Sequence, residues 1–131
     1  MKTVGLVIVF ILLNTLLYGQ NSVMSKTKTY SVEIIRYTIA EGERKHFEEA
    51  YQQAGEALKA SPYCLGYEVI HGVDEPQHYI VRIHWTSVDD HLSGFRKSKE
   101  FSSFFVLVRP FYNNIEEMKH YELTDNAWSR P

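Results

Sequence analysis

The residues of this 131-residue chain best suited to chemistry near neutral pH are six histidines and one cysteine. Unperturbed imidazole titrates at about 6.5, so each of His46, His71, His78, His84, His91 and His120 can hold or pass a proton there. None stands at close ligand spacing with the cysteine or with acids, so the sequence shows no metal set. Cys64 has no His or acid within two residues, and nothing local activates its thiol. It reads as a small buried hydrophobe, with an intersubunit disulfide or a reactive thiol as alternatives. A single cysteine leaves no internal disulfide framework, so the core or a partner subunit must supply stability.

The formal charge is -2 and the basic residues are scattered. That excludes nucleic acid as a partner and gives no pull toward anionic lipid. Nine Tyr, seven Phe and two Trp supply the large buried areas that a small single domain needs.

The elements that must position the histidines follow from hydrophobic period. Residues 1–19 stand apart: Lys2, then an apolar run from Val4 to Leu17, then Gly19 at a plausible cleavage point. The layout predicts a secretory signal peptide, because the run is too short for a bilayer span. The protein is then exported, periplasmic or extracellular, and meets a membrane only if this segment stays uncleaved. Residues 20–29 read as a flexible lead-in. Residues 30–38 (YSVEIIRYT) predict a strand. Over residues 41–59, Phe47, Ala50, Tyr51, Ala54 and Leu58 recur at helical steps, and Ser61-Pro62 ends that helix.

Residues 65–71 and 79–85 predict two strands joined by a turn-rich connector. The second alternates, with Tyr79, Val81, Ile83 and Trp85 on one face and Ile80, Arg82 and His84 on the other. Ser87 with Asp90 three residues on is a helix start. The helix it opens runs to about Lys97, carrying Leu92, Phe95 and His91 inward. A further helical segment from Ser98 carries Phe101, Phe104, Phe105 and Val108 and ends at Pro110. Residues 115–122 (IEEMKHYE) close as a fourth strand, followed by a polar tail at 123–131. The order β-α-β-β-α-β predicts an α+β, ferredoxin-like domain over residues 30–122, with helices on one face of a four-stranded antiparallel sheet. The other face carries Glu68, Arg82 and His84 among apolar neighbours, which predicts a homodimer formed sheet to sheet.

Three segments, SPYCLGYEV (61–69), VRIHWTSVDDHLSGFRKSKEFSSFF (81–105) and IEEMKHYE (115–122), resemble the antibiotic biosynthesis monooxygenase (ABM) family. They are most similar to the subgroup found fused to truncated haemoglobins. The resemblance implies a dimeric α+β barrel. Some members of that superfamily are quinol or polyketide monooxygenases that need no metal or flavin cofactor, others degrade haem, and many have no known activity. The haem-degrading branch carries an Asn, a Trp and an iron-ligating His at positions that are Ile35, Phe95 and Phe105 here. None of the three can do that work, so haem degradation is not expected.

A cofactor-free oxygenase needs less. An electron-rich phenol or quinol supplies its own electrons once deprotonated, so the protein must hold a flat ring and place a base beside its hydroxyl. The resemblance puts such a slot between sheet and helices, lined by Tyr67, Trp85, Phe95, Phe101 and Phe105. His91 and His120 are the candidate catalytic groups; His84 fits a dimer face better, pairing with Glu68 or Glu122. Two functions therefore stand side by side: an exported, cofactor-independent monooxygenase-like enzyme for a small aromatic or quinol, and a non-catalytic dimeric module that binds a small hydrophobic ligand or a partner protein. An apolar cavity with a histidine at its wall favours the first; a space filled by Phe95, Phe101 and Phe105 disfavours it.

Overall fold

A computed structural model describes residues 30–131; the signal peptide and lead-in expected over 1–29 lie outside the described residues. Four strands, β1 (Ser31–Thr38), β2 (Cys64–His71), β3 (His78–Trp85) and β4 (Ile115–Glu122), form one antiparallel sheet in the order β2-β3-β1-β4. Two helices, α1 (Arg44–Ala60) and α2 (Lys99–Val108), connect them. This is the ferredoxin-like α+β arrangement read from the sequence.

The sheet is amphipathic because side chains alternate along each strand. On β3, Tyr79, Val81, Ile83 and Trp85 are buried while Ile80, Arg82 and His84 are only half-buried. On α1, Phe47, Ala50, Tyr51, Ala54 and Leu58 form the buried stripe that the period predicted. Phe47 lies at the centre of a ring cluster, with centroids 4.9 Å from Tyr37, 5.0 Å from Tyr51, 4.8 Å from Tyr79 and 5.2 Å from Phe111. Rings at such spacings add edge and offset contacts to their area burial.

The segment after β3 departs from the regular helix expected over residues 87–97. Its start is capped as predicted: the Asp90 N–H donates to Ser87 Oγ at 2.9 Å. The Asp90 carboxylate, however, turns back to accept from the Thr86 hydroxyl at 2.6 Å. The chain then widens into a π-helical turn over Asp90–Gly94, in which the Phe95 N–H reaches the carbonyls of both Asp90 and His91. It tightens into a 3-10 turn over Phe95–Lys97. The extra residue in the wide turn rotates its inward face. His91 and Phe95 are buried, whereas Leu92, expected inside, is 43% exposed. Ser98 Oγ accepts from the Phe101 N–H at 3.2 Å and starts α2 afresh. Pro110 does not stop the chain from turning: α2 ends at Val108, and a 3-10 segment, Arg109–Asn114, follows with Pro110 in its first turn. Proline is tolerated there because the first amides of a helix lack partners anyway.

Candidate functional site: a buried Glu-His-His cluster at the wall of an apolar cavity

Three elements converge under the sheet. Glu33 projects from the helix-covered face of β1 and His120 is its direct cross-strand neighbour on β4. His91 descends from the wide turn. Its Nδ1 lies 2.7 Å from His120 Nε2, and its Nε2 lies 3.6 Å from Glu33 Oε2. Trp85, at the end of β3, holds the group in place. Its indole stacks on the His91 ring with centroids 4.3 Å apart and planes 6° from parallel, and its N–H donates to Glu33 Oε2 at 3.0 Å. Arg96 spans the mouth: its Nε donates to His91 Nε2 at 3.4 Å and its Nη2 lies 3.5 Å from Met118 Sδ.

Donor geometry assigns the tautomer. A guanidinium can only donate, so His91 Nε2 must accept, and the ring proton sits on Nδ1 facing His120. Burial drives the electrostatics of the cluster, because it penalises charge on either group. It pushes the Glu33 carboxyl up despite the Trp85 hydrogen bond and Arg96. It pushes His91 down to about 3, with Arg96 and His120 adding to the effect. His120 is shifted the same way, by burial and then by Arg96. His91 is thus a neutral imidazole at physiological pH, with its lone pair toward the cavity side.

That cavity has a volume of about 110 Å³ and lies between sheet and helices. His91 and Glu33 form its polar end. Phe95, Phe101 and Phe105 line it and leave the space open. Ile35 completes the apolar wall, so the three positions tested for haem degradation are all cavity wall. The solvent side is made of half-buried Phe101 and Phe105 with the more exposed Arg96, Tyr112 and Met118. Trp85 lines the cavity as expected, but its main contacts are with His91 and Glu33, which makes it a positioning residue.

Tyr67 does not belong to the site. It lies across α1, where its hydroxyl donates to the Tyr51 carbonyl at 3.2 Å. A Cβ on Gly55 would come 2.0 Å from that hydroxyl, so glycine is what lets the tyrosine lie down there. The resemblance placed Tyr67 in the slot; the side chain does face the helices, but edge strand β2 carries it away from the cavity.

Glu68, Arg82 and His84 do come together, on the open face of the sheet. Arg82 Nη2 is 2.6 Å and His84 Nε2 is 3.9 Å from Glu68 Oε1. The partner of His84 is Glu68 rather than Glu122. Cys64 is half-buried, donates weakly to the Gly66 carbonyl at 3.6 Å, and has its thiol pushed up by burial. A neutral thiol is a poor nucleophile.

Two site residues were missed in the sequence, Glu33 and Arg96. Glu33 had a visible signal: in SVEIIRYT it shares its parity with Ile35 and Tyr37, so an acid stood on the core face. Arg96 had none, because only the wide turn aims it at His91. The reading that no metal set exists also needs correction. Glu33, His91 and His120 each bring a ligand-type atom within 4.8 Å of the others, a grouping hidden from spacing because it joins three separate elements. A cation would have to displace the Trp85 N–H from Glu33 and the Arg96 guanidinium from His91.

The sheet order and the helices on one face define a ferredoxin-like α+β domain. The chain belongs to the antibiotic biosynthesis monooxygenase family, whose sequence profile matches residues 31–106. It is 26% identical over 84 residues to YczJ, an uncharacterised protein of Bacillus subtilis, covering 64% of this chain and 88% of that one. Among solved structures it is similar to a Bordetella bronchiseptica protein assigned to the same family, with TM-score 0.62 and 23% identity over 73% of this chain and 98% of the other. It is also similar to a mutant form of SnoaB, a cofactor-independent oxygenase from Streptomyces nogalater, with TM-score 0.58 and 13% identity over 76% and 96%. At these identities the structural likeness fixes the fold, and the chemistry must be argued from the site.

Proposed function

We propose that the protein is an exported, cofactor-independent monooxygenase-like enzyme that acts on a small aromatic or quinol as a homodimer. The observation that carries this reading is the cavity with a neutral, buried histidine at its wall and a second histidine leading outward. At about 110 Å³ the cavity is smaller than the roughly 150 Å³ cavity that holds benzene, so it limits a substrate to a single ring. The SnoaB likeness supports the same direction by analogy of fold.

In this mechanism a phenolic hydroxyl enters beside His91 Nε2, which takes its proton. Arg96 turns from the imidazole to the substrate oxygen before this transfer and stabilises the phenolate that forms. Its departure removes one of the charges that hold His91 down, so the base strengthens as the substrate arrives. Glu33 stabilises the imidazolium, and the opposite ring nitrogen remains hydrogen-bonded to half-buried His120. One electron passes from phenolate to dioxygen, and the phenoxyl radical and superoxide combine at a ring carbon. The proton held by His91 returns to the peroxide, and loss of water, carrying the ring hydrogen, leaves a quinone. The substrate supplies all the electrons.

Dimerisation is supported by the open sheet face. There Ile70 and Tyr121 are exposed, and Arg82 Nε is buried with no hydrogen-bond partner among the described residues. Export is supported by the layout of residues 1–19. The test is oxygen uptake by the purified mature domain with a panel of one- and two-ring quinols, repeated with His91→Ala and His120→Ala. Uptake that depends on His91 is expected. Uptake no greater than without protein across the panel would replace the enzyme with a non-catalytic ligand-binding module.

A further inference from the structure

Tyr37 on β1 and Tyr51 on α1 meet at the cavity wall, with hydroxyl oxygens 2.5 Å apart. They are 2% and 1% exposed. Burial pushes the Tyr37 hydroxyl up to about 12 and that of Tyr51 well above its ordinary value, so both carry protons at any physiological pH. Two protons are therefore present and one hydrogen bond uses one of them. Neither hydroxyl has another oxygen or nitrogen partner among the described residues. One O–H donor is left over, in a buried site where an unmade hydrogen bond is expensive. Tyr37 shares the covered face of β1 with Glu33, four residues away, so their Cα atoms are about 13 Å apart along the strand. The cavity thus has a proton-accepting site at one place and a spare donor at another, with apolar walls in between.

We propose that the Tyr37–Tyr51 pair is a ligand-anchoring site that donates a hydrogen bond to a second oxygen on the bound ring, selecting one-ring phenols that carry an electron-releasing hydroxyl or alkoxy oxygen opposite the reacting hydroxyl. This rests on the proposed function only in placing that reacting hydroxyl at His91. The pair recognises and orients; it takes no part in proton transfer. Two fixed ends set which ring carbon dioxygen meets, since a ring held at one point can spin.

The test compares 4-hydroxybenzaldehyde, as a binding probe, with 4-methylphenol; the two differ in whether the far substituent accepts a hydrogen bond. Affinities are measured by calorimetry, at a pH where both phenols are protonated, for the native protein and for Tyr37→Phe/Tyr51→Phe. The double substitution is needed because either single one leaves a hydroxyl with its proton free. The aldehyde should lose about tenfold in affinity, the worth of one buried hydrogen bond, and 4-methylphenol should be unchanged. The carbonyl stretch of the bound aldehyde should also shift upward in the double variant. Removing both partners together leaves no orphan, so the melting temperature should hold or rise. Equal losses for the two ligands, no aldehyde binding by the native protein, an unshifted carbonyl stretch or a variant that does not fold would each overturn the inference. Selective binding without oxygen uptake would keep this site and remove the oxygenase. Oxygen uptake with unchanged selectivity would do the reverse.

Discussion

On the covered face of the sheet, Glu33, His91 and His120 are closed in by aromatic rings; on the open face, Glu68, Arg82 and His84 share the surface with Ile70 and Ile80. Both groups combine an acid, histidine and a nearby arginine, and differ in access to water. The Arg82–Glu68 pair is short, but its side chains are 41% and 49% exposed. A pair so placed contributes at most about 1 kcal/mol. The Glu33 and His91 side chains are 3% and 4% exposed, so each resists charging and every hydrogen bond to them counts. The same residue types make a solvated ion pair on one face and a buried cluster that resists charge on the other.

The contrast is sharpest for substitutions that remove one partner from the buried cluster. Trp85→Ala takes away a fully buried ring, the stack on His91 and the donor to Glu33. It should destabilise the protein by about 3–5 kcal/mol, read by denaturant unfolding. His91→Asn should reduce any oxygen uptake about 10²- to 10⁴-fold, with the fold retained by circular dichroism. Equal activity in that variant would move the base elsewhere.

Acidification supplies the next break. His91 is held down in the folded state and returns to about 6.5 when unfolded, so the unfolded chain binds the extra proton first. Stability from this group is whole above pH 6.5 and is lost as pH falls toward about 3, by roughly 1.4 kcal/mol per pH unit. Glu33, held up, works in the opposite sense: its contribution is present at low pH and lost as pH rises above 4.5. The histidine effect is therefore read as the difference between native protein and His91→Asn, which should lack the acid-side loss. The smallest effect on stability belongs to the open face. Glu68→Gln should change unfolding free energy by less than about 1 kcal/mol, while sedimentation should show a weakened dimer. A monomeric native protein would overturn the proposed dimer on the open face.

Much of the covered face was legible in the sequence because its logic is periodic. The stripe from Phe47 to Leu58 and the alternation from Tyr79 to Trp85 follow from helix and strand geometry alone. The fold followed from the order of those patterns. The site was legible in part: His91, His120, Trp85 and the three phenylalanines were selected, but Glu33 was passed over and Tyr67 misplaced. Periodicity ranks faces within one element and says nothing about which elements converge, so the meeting of β1, β4 and the turn after β3 stayed hidden. Leu92 failed for a different reason. A helical wheel assumes a constant residue count per turn, and here that count changes.

That change has a consequence for how the site can be lost. A π-helical turn holds one residue more than an α turn, and each residue of a helix adds about 100° of rotation. Shortening Asp90–Gly94 by one residue would restore regular winding and swing the flanking side chains by about that angle, parting His91 from His120 and Glu33. With Leu92 or Ser93 as the residue removed, every side chain of the cluster would still be present in such a chain. In this protein the spacing of the segment is as much a part of the site as the side chains, and a single deletion would cost more than most exchanges of one residue for another.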